Sequence, residues 1–133
     1  MSTFHLKIST PDGLKFDGEV ERLRVRMIDG DVSLLAHHMD YVSAVGAGEA
    51  AILTENGETK RAACIGGMLA MINNEANLIA TTFEWADEID LERATRAKEA
   101  AQARIDAAKE DAKELMLAQA KLQRALVRIN VKG

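Results

Sequence analysis

From Met68 to Lys132 the chain contains neither glycine nor proline. Those are the two residues that most often interrupt a helix. Residues 89–133 carry a helical pattern almost unbroken, opening with Ile89-Asp90-Leu91-Glu92-Arg93-Ala94 and closing with Gln123-Arg124-Ala125-Leu126-Val127-Arg128. Everything before them reads as short strands separated by turns. The expected order is β first and α second: a compact β body carrying a long helical arm. That shape suits contact with other proteins better than enclosure of a substrate.

The arm also differs from the body in charge. Residues 1–88 hold seven Lys/Arg and fourteen Asp/Glu, whereas residues 89–133 hold ten and seven. From Lys121 onward there are four cations and no acid. An acidic body with a basic arm points either to an anionic partner for the arm or to the arm resting on its own body. A length of 133 residues allows one average domain or two small ones. No run of about 18 apolar residues is present, so no membrane-spanning helix is expected. The opening run Met1-Ser2-Thr3-Phe4-His5-Leu6-Lys7 has no apolar h-region and no Arg/Ser-rich segment. We therefore expect no signal or transit peptide and a cytosol-facing location. The lone cysteine, Cys64, excludes an internal disulfide and fits a reducing compartment.

In the N-terminal part Phe4, Leu6 and Ile8 alternate with polar residues, the period of a half-buried strand. Pro11-Asp12-Gly13 reads as a turn. Leu14, Phe16 and Val20 alternate again, as do Leu23, Val25 and Met27, until Asp29-Gly30 breaks the run. Asn56-Gly57, between Ala51-Ile52-Leu53 and residues 59–65, is the strongest hairpin signal. Asn73-Asn74 separates residues 68–72 from 78–83 in the same way. Closely spaced strands without a helical interlude predict a small antiparallel sandwich or barrel.

Several residues with chemical potential have a simpler reading. Gly66-Gly67 resembles a phosphate cradle, but the helix that should follow is missing, so a bulge or close backbone approach is expected. Adjacent His37 and His38 point apart in extended chain and lack a third ligand at useful spacing, so a structural or interface role is expected. Asp29 and Asp31 flank a turn. No nucleophile–base set, phosphate loop or metal cluster emerges, and catalysis by this chain alone is not expected.

In the arm, Ala94, Ala101, Ala108, Leu115, Leu122 and Ile129 recur every seven residues, with Ala97, Ile105, Ala112, Ala118 and Leu126 beside them. That is an apolar stripe at helical spacing. Two readings compete. One straight helix would reach about 65 Å at 1.5 Å per residue. A hairpin would turn near residues 107–111, where no glycine or proline imposes a permanent break. A segment that can be bent or straight is a candidate two-state element. Asp90 is placed as an N-cap, which is compatible with anion contact at a helix N-terminus. Arg124 and Arg128 share one helical face. They form either a solvated or partner-facing stripe, or a guanidinium pair suited to a polyphosphate.

At these residues the chain resembles the epsilon subunit of bacterial F-type ATP synthases over its whole length. Leu6–Ile8, Thr10-Pro11-Asp12-Gly13 and Phe16-Asp17-Gly18-Glu19-Val20 are similar to the family's opening strands. Asp29-Gly30-Asp31-Val32, Leu34-Leu35 and His38 resemble its next segment, with Ser33 in place of a second glycine and Ala36-His37 where a Pro-Gly turn is common. Cys64-Ile65-Gly66-Gly67 resembles a family strand end. Ile89-Asp90-Leu91-Glu92-Arg93-Ala94 fits the pattern Ile/Leu-Asp-x-x-Arg-Ala, associated with ATP binding. Glu84 matches an upstream acid, and Arg124 and Arg128 match a second-helix arginine pair. Ala100 stands where some ATP binders carry a further arginine.

The resemblance implies an N-terminal antiparallel β-sandwich of ten strands over residues 1–86 and a C-terminal two-helix hairpin over residues 87–133. It implies a central-stalk rotor subunit at the cytoplasmic face of the bacterial cell membrane, peripheral and held there only through the complex. The sandwich would bind the gamma subunit and the c-ring. The mobile hairpin, when extended, would meet the acidic arm of the beta subunit and block ATP hydrolysis. Folded, it would bind ATP as a regulatory ligand at Glu84, Ile89, Asp90, Arg93, Ala94, Arg124 and Arg128, with no metal, required cofactor or nucleic acid. The alternative is a free-standing adaptor that docks a coiled-coil partner through its helical arm.

Overall fold

The computed structural model describes residues 2–108 and 110–133, which form two compact units, one through Trp85 and one from Ala86. Met1 of the opening run and residue 109 of the expected turn lie outside the described residues.

In the first unit the described residues form seven strands: β1 (Phe4–Thr10), β2 (Gly13–Met27), β3 (Gly30–Leu35), β4 (Tyr41–Ala44), β5 (Ala47–Thr54), β6 (Thr59–Ile72) and β7 (Glu75–Trp85). Six of them follow the order β1-β7-β6-β5-β2-β3, with β4 off this path against β6, and β1 also pairs with β2, so the path returns on itself around one core. Every pairing is antiparallel except β1–β7, which is parallel. The resemblance implied ten strands. The count is lower because β2 and β6, 15 and 14 residues long, each serve different neighbours along their length. The first half of β2 pairs with β1 and the second with β3 and β5, with a register shift between Val20 and Arg22. β6 pairs with β5 through Thr59–Ile65 and with β4 through Met68–Met71.

The core follows the expected alternation. Phe4, Leu6, Ile8, Leu23, Val25, Leu34, Ile52, Leu69 and Leu78 are fully buried, and each such side chain contributes about 1.5–3 kcal/mol of transfer energy. The turns carry the expected chemistry. Asn73 and Asn74 have φ 50° and 63°, the left-handed pair of a tight hairpin. Asn56-Gly57 closes β5 onto β6 through a short loop: the Thr54 N–H donates to Glu58 O, and Gly57 has φ 84°. Gly67 shows the close backbone approach expected of the glycine pair. At φ 117°, a Cβ there would lie 1.9 Å from Ile79 O, so β7 passes too close for any side chain.

The second unit is a 3₁₀ turn (Ala86–Glu88) followed by α1 (Leu91–Ala107) and α2 (Ala112–Lys132). Of the two readings of the arm, the hairpin is the one formed. Ala94 and Ala101 of α1 and Ala118 and Ala125 of α2 are buried, each pair seven residues apart. Methyl-sized residues let the two backbones approach closely. Ile105, Ala108, Leu115, Leu122 and Ile129 are partly buried. Three positions placed on the stripe, Ala97, Ala112 and Leu126, are exposed, whereas Val131 is buried. The seven-residue series itself, from Ala94 to Ile129, stays buried or partly buried through the break; the three exposed positions lie on its flanks, where the stripe meets solvent.

Candidate functional site in the helical hairpin

Two contacts set the hairpin register. Arg104 Nη2 lies 3.4 Å from Glu114 Oε2 near the turn. At the other end Lys132 Nζ donates to Ala86 O at 3.1 Å. Between these points the helices run antiparallel, so Arg128 stands level with Asp90 and Leu91, and Arg124 with Ala94 and Thr95. The register thus brings the cationic end of α2 to the N-terminal turns of α1. In sequence these groups lie about thirty residues or more apart.

Asp90 has the expected cap geometry, with φ −88° and ψ 106°, and its side chain accepts the Arg93 N–H at 3.1 Å. Its carboxylate already satisfies one free donor of the helix start. Arg93 is exposed, and Arg124 and Arg128 are partly buried. Ile89 and Ala94 are each 3% exposed, so they shape the hairpin and offer a ligand little side-chain surface. Six of the seven expected site residues share this unit. Glu84 stands on β7 of the sandwich, in register with Ala63.

Two features of the sandwich escaped sequence reasoning. One outward spot across β4, β6 and β7 is apolar: Met68 faces Ile79 across the strand pair, and Val42 pairs with Ala70 two residues further along β6. Val42, Met68 and Ile79 are 59%, 48% and 60% exposed, and such a patch marks a protein contact more often than bare surface. The available signal was the run Met68-Leu69-Ala70-Met71-Ile72, apolar on both alternating faces. The second feature is Glu49 on β5, which accepts from Arg24 of β2 and Arg61 of β6. Burial pushes its carboxyl up, but the hydrogen bonds from Arg61 and Arg24 outweigh that and hold it below its usual range.

His37 and His38 have backbone roles and ring packing: the His37 N–H donates to Asn74 Oδ1, and the His38 ring meets Tyr41 edge-on. Among the described residues no group of His, Cys, Asp and Glu is arranged to hold a metal ion, and no helix is long and apolar enough to cross a membrane. Cys64 is buried, and burial pushes its thiol up to about 12.

Residues 3–86 match the family described as ATP synthase, Delta/Epsilon chain, beta-sandwich domain, and residues 87–133 match its long alpha-helix domain. An ATP synthase epsilon chain of Bacillus velezensis is 35% identical over 133 residues, covering 100% of this chain and 99% of that one. One from Clostridium novyi is 32% identical over 129 residues, 97% of each. Among solved structures, a chain of the Euglena gracilis mitochondrial ATP synthase assembly of OSCP, F1 and c-ring has the same fold, with a TM-score of 0.83 at 19% identity over 92% of this chain and 77% of that one. Matched by both domain descriptions and by bacterial epsilon chains end to end, the chain belongs to the ATP synthase delta/epsilon chain family.

Proposed function

We propose that this chain is the central-stalk epsilon subunit of an F-type, proton-translocating ATP synthase at the cytoplasmic face of the cell membrane. It is non-catalytic on its own. It couples rotation to ATP synthesis through its sandwich and restrains ATP hydrolysis through its hairpin. The sandwich seats on the gamma subunit and the c-ring, with the exposed apolar residues Val42, Met68 and Ile79 in the gamma-facing surface. The hairpin alternates between two states. Straightened, it offers Lys121, Arg124, Arg128 and Lys132 to the acidic arm of the beta subunit. Bent, it holds ATP beside α1.

One observation supports the regulatory half of this reading. The antiparallel register places a stretch of α2 with four cations and no carboxylate beside the start of α1. The same basic stretch would face a bound polyphosphate in one state and an acidic protein surface in the other.

The test is purification of a tagged chain from its own cells. A membrane-attached ATPase should travel with it, and removing residues 89–133 should leave that association intact while raising ATP hydrolysis by the complex. Recovery with a soluble coiled-coil protein and no ATPase would favour an adaptor. Hydrolysis unchanged by the truncation would show that the arm does not restrain the enzyme.

A further inference from the structure

The break between α1 and α2 contains no glycine and no proline. Nothing in the covalent chain forces the helix to stop there, so the bend must be held by contacts that exist only when the chain is bent. Two are present. Asp111 is the N-cap of α2, with φ −106° and ψ 101°, and its Oδ1 accepts from the N–H groups of Lys113 at 3.1 Å and Glu114 at 3.2 Å. Arg104 reaches Glu114 across the turn at 3.4 Å. On a straight helix these two residues would stand about 15 Å apart along the axis. In that state the Lys113 and Glu114 amides would bond to carbonyls of the preceding turn, leaving the Asp111 carboxylate nothing to cap. Aspartate is also a poor helix-interior residue, because its side chain competes for nearby backbone groups.

We propose that Asp111 is the latch of the bent hairpin: its capping of α2 sets the balance between the bent and straight forms of the arm. The inference deepens the two-state reading above and rests on it. Glu114 has a double part. As the third helical residue it lends its amide to the Asp111 cap, and its carboxylate holds Arg104. Both ends of the turn are thereby tied to the same two acids, Asp111 and Glu114. The Ala108 N–H, bonded to Arg104 O at 2.9 Å, closes the end of α1 without fixing the direction of the chain beyond it.

The full-length chain tests this without nucleotide or partner. Spin labels on cysteines at Glu99→Cys and Gln119→Cys, in a Cys64→Ala background, report the bend by pulsed dipolar spectroscopy. In the hairpin these positions lie across from each other, with about 10 Å between helix axes. In a straight helix they lie about 30 Å apart. Asp111→Ala should raise the long-distance population about fivefold, the change expected from one lost N-cap. Asp111→Glu keeps the charge but caps poorly and should do the same. Asp111→Ser keeps the cap and should match the parent. Adding Arg104→Ala to Asp111→Ala should shift the balance further.

An unchanged distance distribution in Asp111→Ala overturns the proposal. So does a fall in helical signal by circular dichroism instead of a longer helix, or a Ser variant that behaves like Ala. None of these readouts uses ATP, so failure of nucleotide binding would leave the latch standing, and a failed latch would leave nucleotide binding open to its own test.

Discussion

The His37 N–H donates to Asn74 Oδ1 at 2.6 Å, joining the segment between β3 and β4 to the turn between β6 and β7. The same Asn74 side chain donates from Nδ2 to Thr3 O at 3.2 Å, while the Asn73 N–H donates to Asp40 Oδ1 at 3.0 Å. His37, Asn73 and Asn74 all have positive φ. Left-handed backbone is disfavoured for residues with a Cβ, least so for asparagine. These hydrogen bonds hold the end of the sandwich in that conformation.

Asn74→Ala should therefore destabilise the chain by about 1–2 kcal/mol, losing two hydrogen bonds while keeping the disfavoured φ. Asn74→Gly loses the same bonds but relieves the backbone, and should cost less. Urea unfolding of the two variants checks the order. Equal losses would show that the backbone of this turn contributes nothing.

Gly67 and Gly13 separate two meanings of glycine. Both have positive φ, 117° and 127°, but only at Gly67 would a Cβ meet neighbouring backbone, at 1.9 Å from Ile79 O. Gly13→Ala should cost about 1 kcal/mol, the conformational penalty alone. Gly67→Ala should cost at least about 3 kcal/mol, because β6 and β7 must separate to admit the methyl group. Denaturant melts of both, compared with the parent, decide the point.

The sequence made local patterns visible wherever one face was buried and the other wet. Phe4, Leu6 and Ile8 against His5 and Lys7 are such a case, and β1 emerged as expected. It hid what depends on partners distant in the chain. The parallel pairing of β1 with β7 leaves no local mark, because His5 and Glu75 meet only after the sheet closes. The length of β6 was obscured because Gly66-Gly67 looks like an end, although the strand runs through it. The Arg24–Glu49–Arg61 cluster depends on the registers of three strands at once. In the arm, the Asp90 cap was legible from its neighbours. The seam Ala94/Ala101 against Ala118/Ala125 was partly legible: Ala118 was placed on the stripe, whereas Ala125, flanked by the larger Leu122, Leu126 and Ile129, was not.

Glu49 predicts an acid-side effect. Its folded carboxyl is held below its ordinary value of 4.5. The stability it contributes is therefore complete above that value and is lost as pH falls through the lower, folded value. Glu49→Gln should cost about 1–2 kcal/mol at neutral pH by weakening the bonds from Arg24 and Arg61. Below pH 4.5 the gap between variant and parent should narrow. Thermal melts from neutral to strongly acidic buffer test this, and a constant gap across the series would remove Glu49 as the cause.

Cys64 should act as a reporter of the sandwich alone. With the thiol pushed up to about 12 by burial, almost no thiolate exists at neutral pH and the sulfur is inaccessible. Alkylation of the native chain should be at least about a hundredfold slower than in urea, because it waits for opening of the sandwich. If removal of residues 89–133 leaves that rate unchanged, the sandwich is stable without the arm. A large acceleration would show that it depends on the arm.

The sharpest expectation concerns ATP. In the hairpin Arg124 stands level with Ala94, and Arg128 with Asp90, so both residues stand beside the first turns of α1. Triphosphate charge should settle on that pair. Asp90, already capping α1 through the Arg93 N–H, offers the remaining carboxylate oxygen and nearby backbone to the adenine end. Because the cations belong to α2 and the cap to α1, a ligand that bridges them favours the bent form. ATP at a hundredfold excess over Kd should then stabilise the hairpin by about 2.7 kcal/mol. Magnesium should add little, since the guanidiniums already supply countercharge. Titration calorimetry and melting of the full-length chain provide the measurement. Arg124→Ala with Arg128→Ala should abolish both the heat and the shift, while Arg96→Ala, on an exposed position of α1, should leave them nearly intact. If the double variant binds as well as the parent, or if the parent shows neither heat nor shift at millimolar ATP, the arginine pair serves protein contact alone.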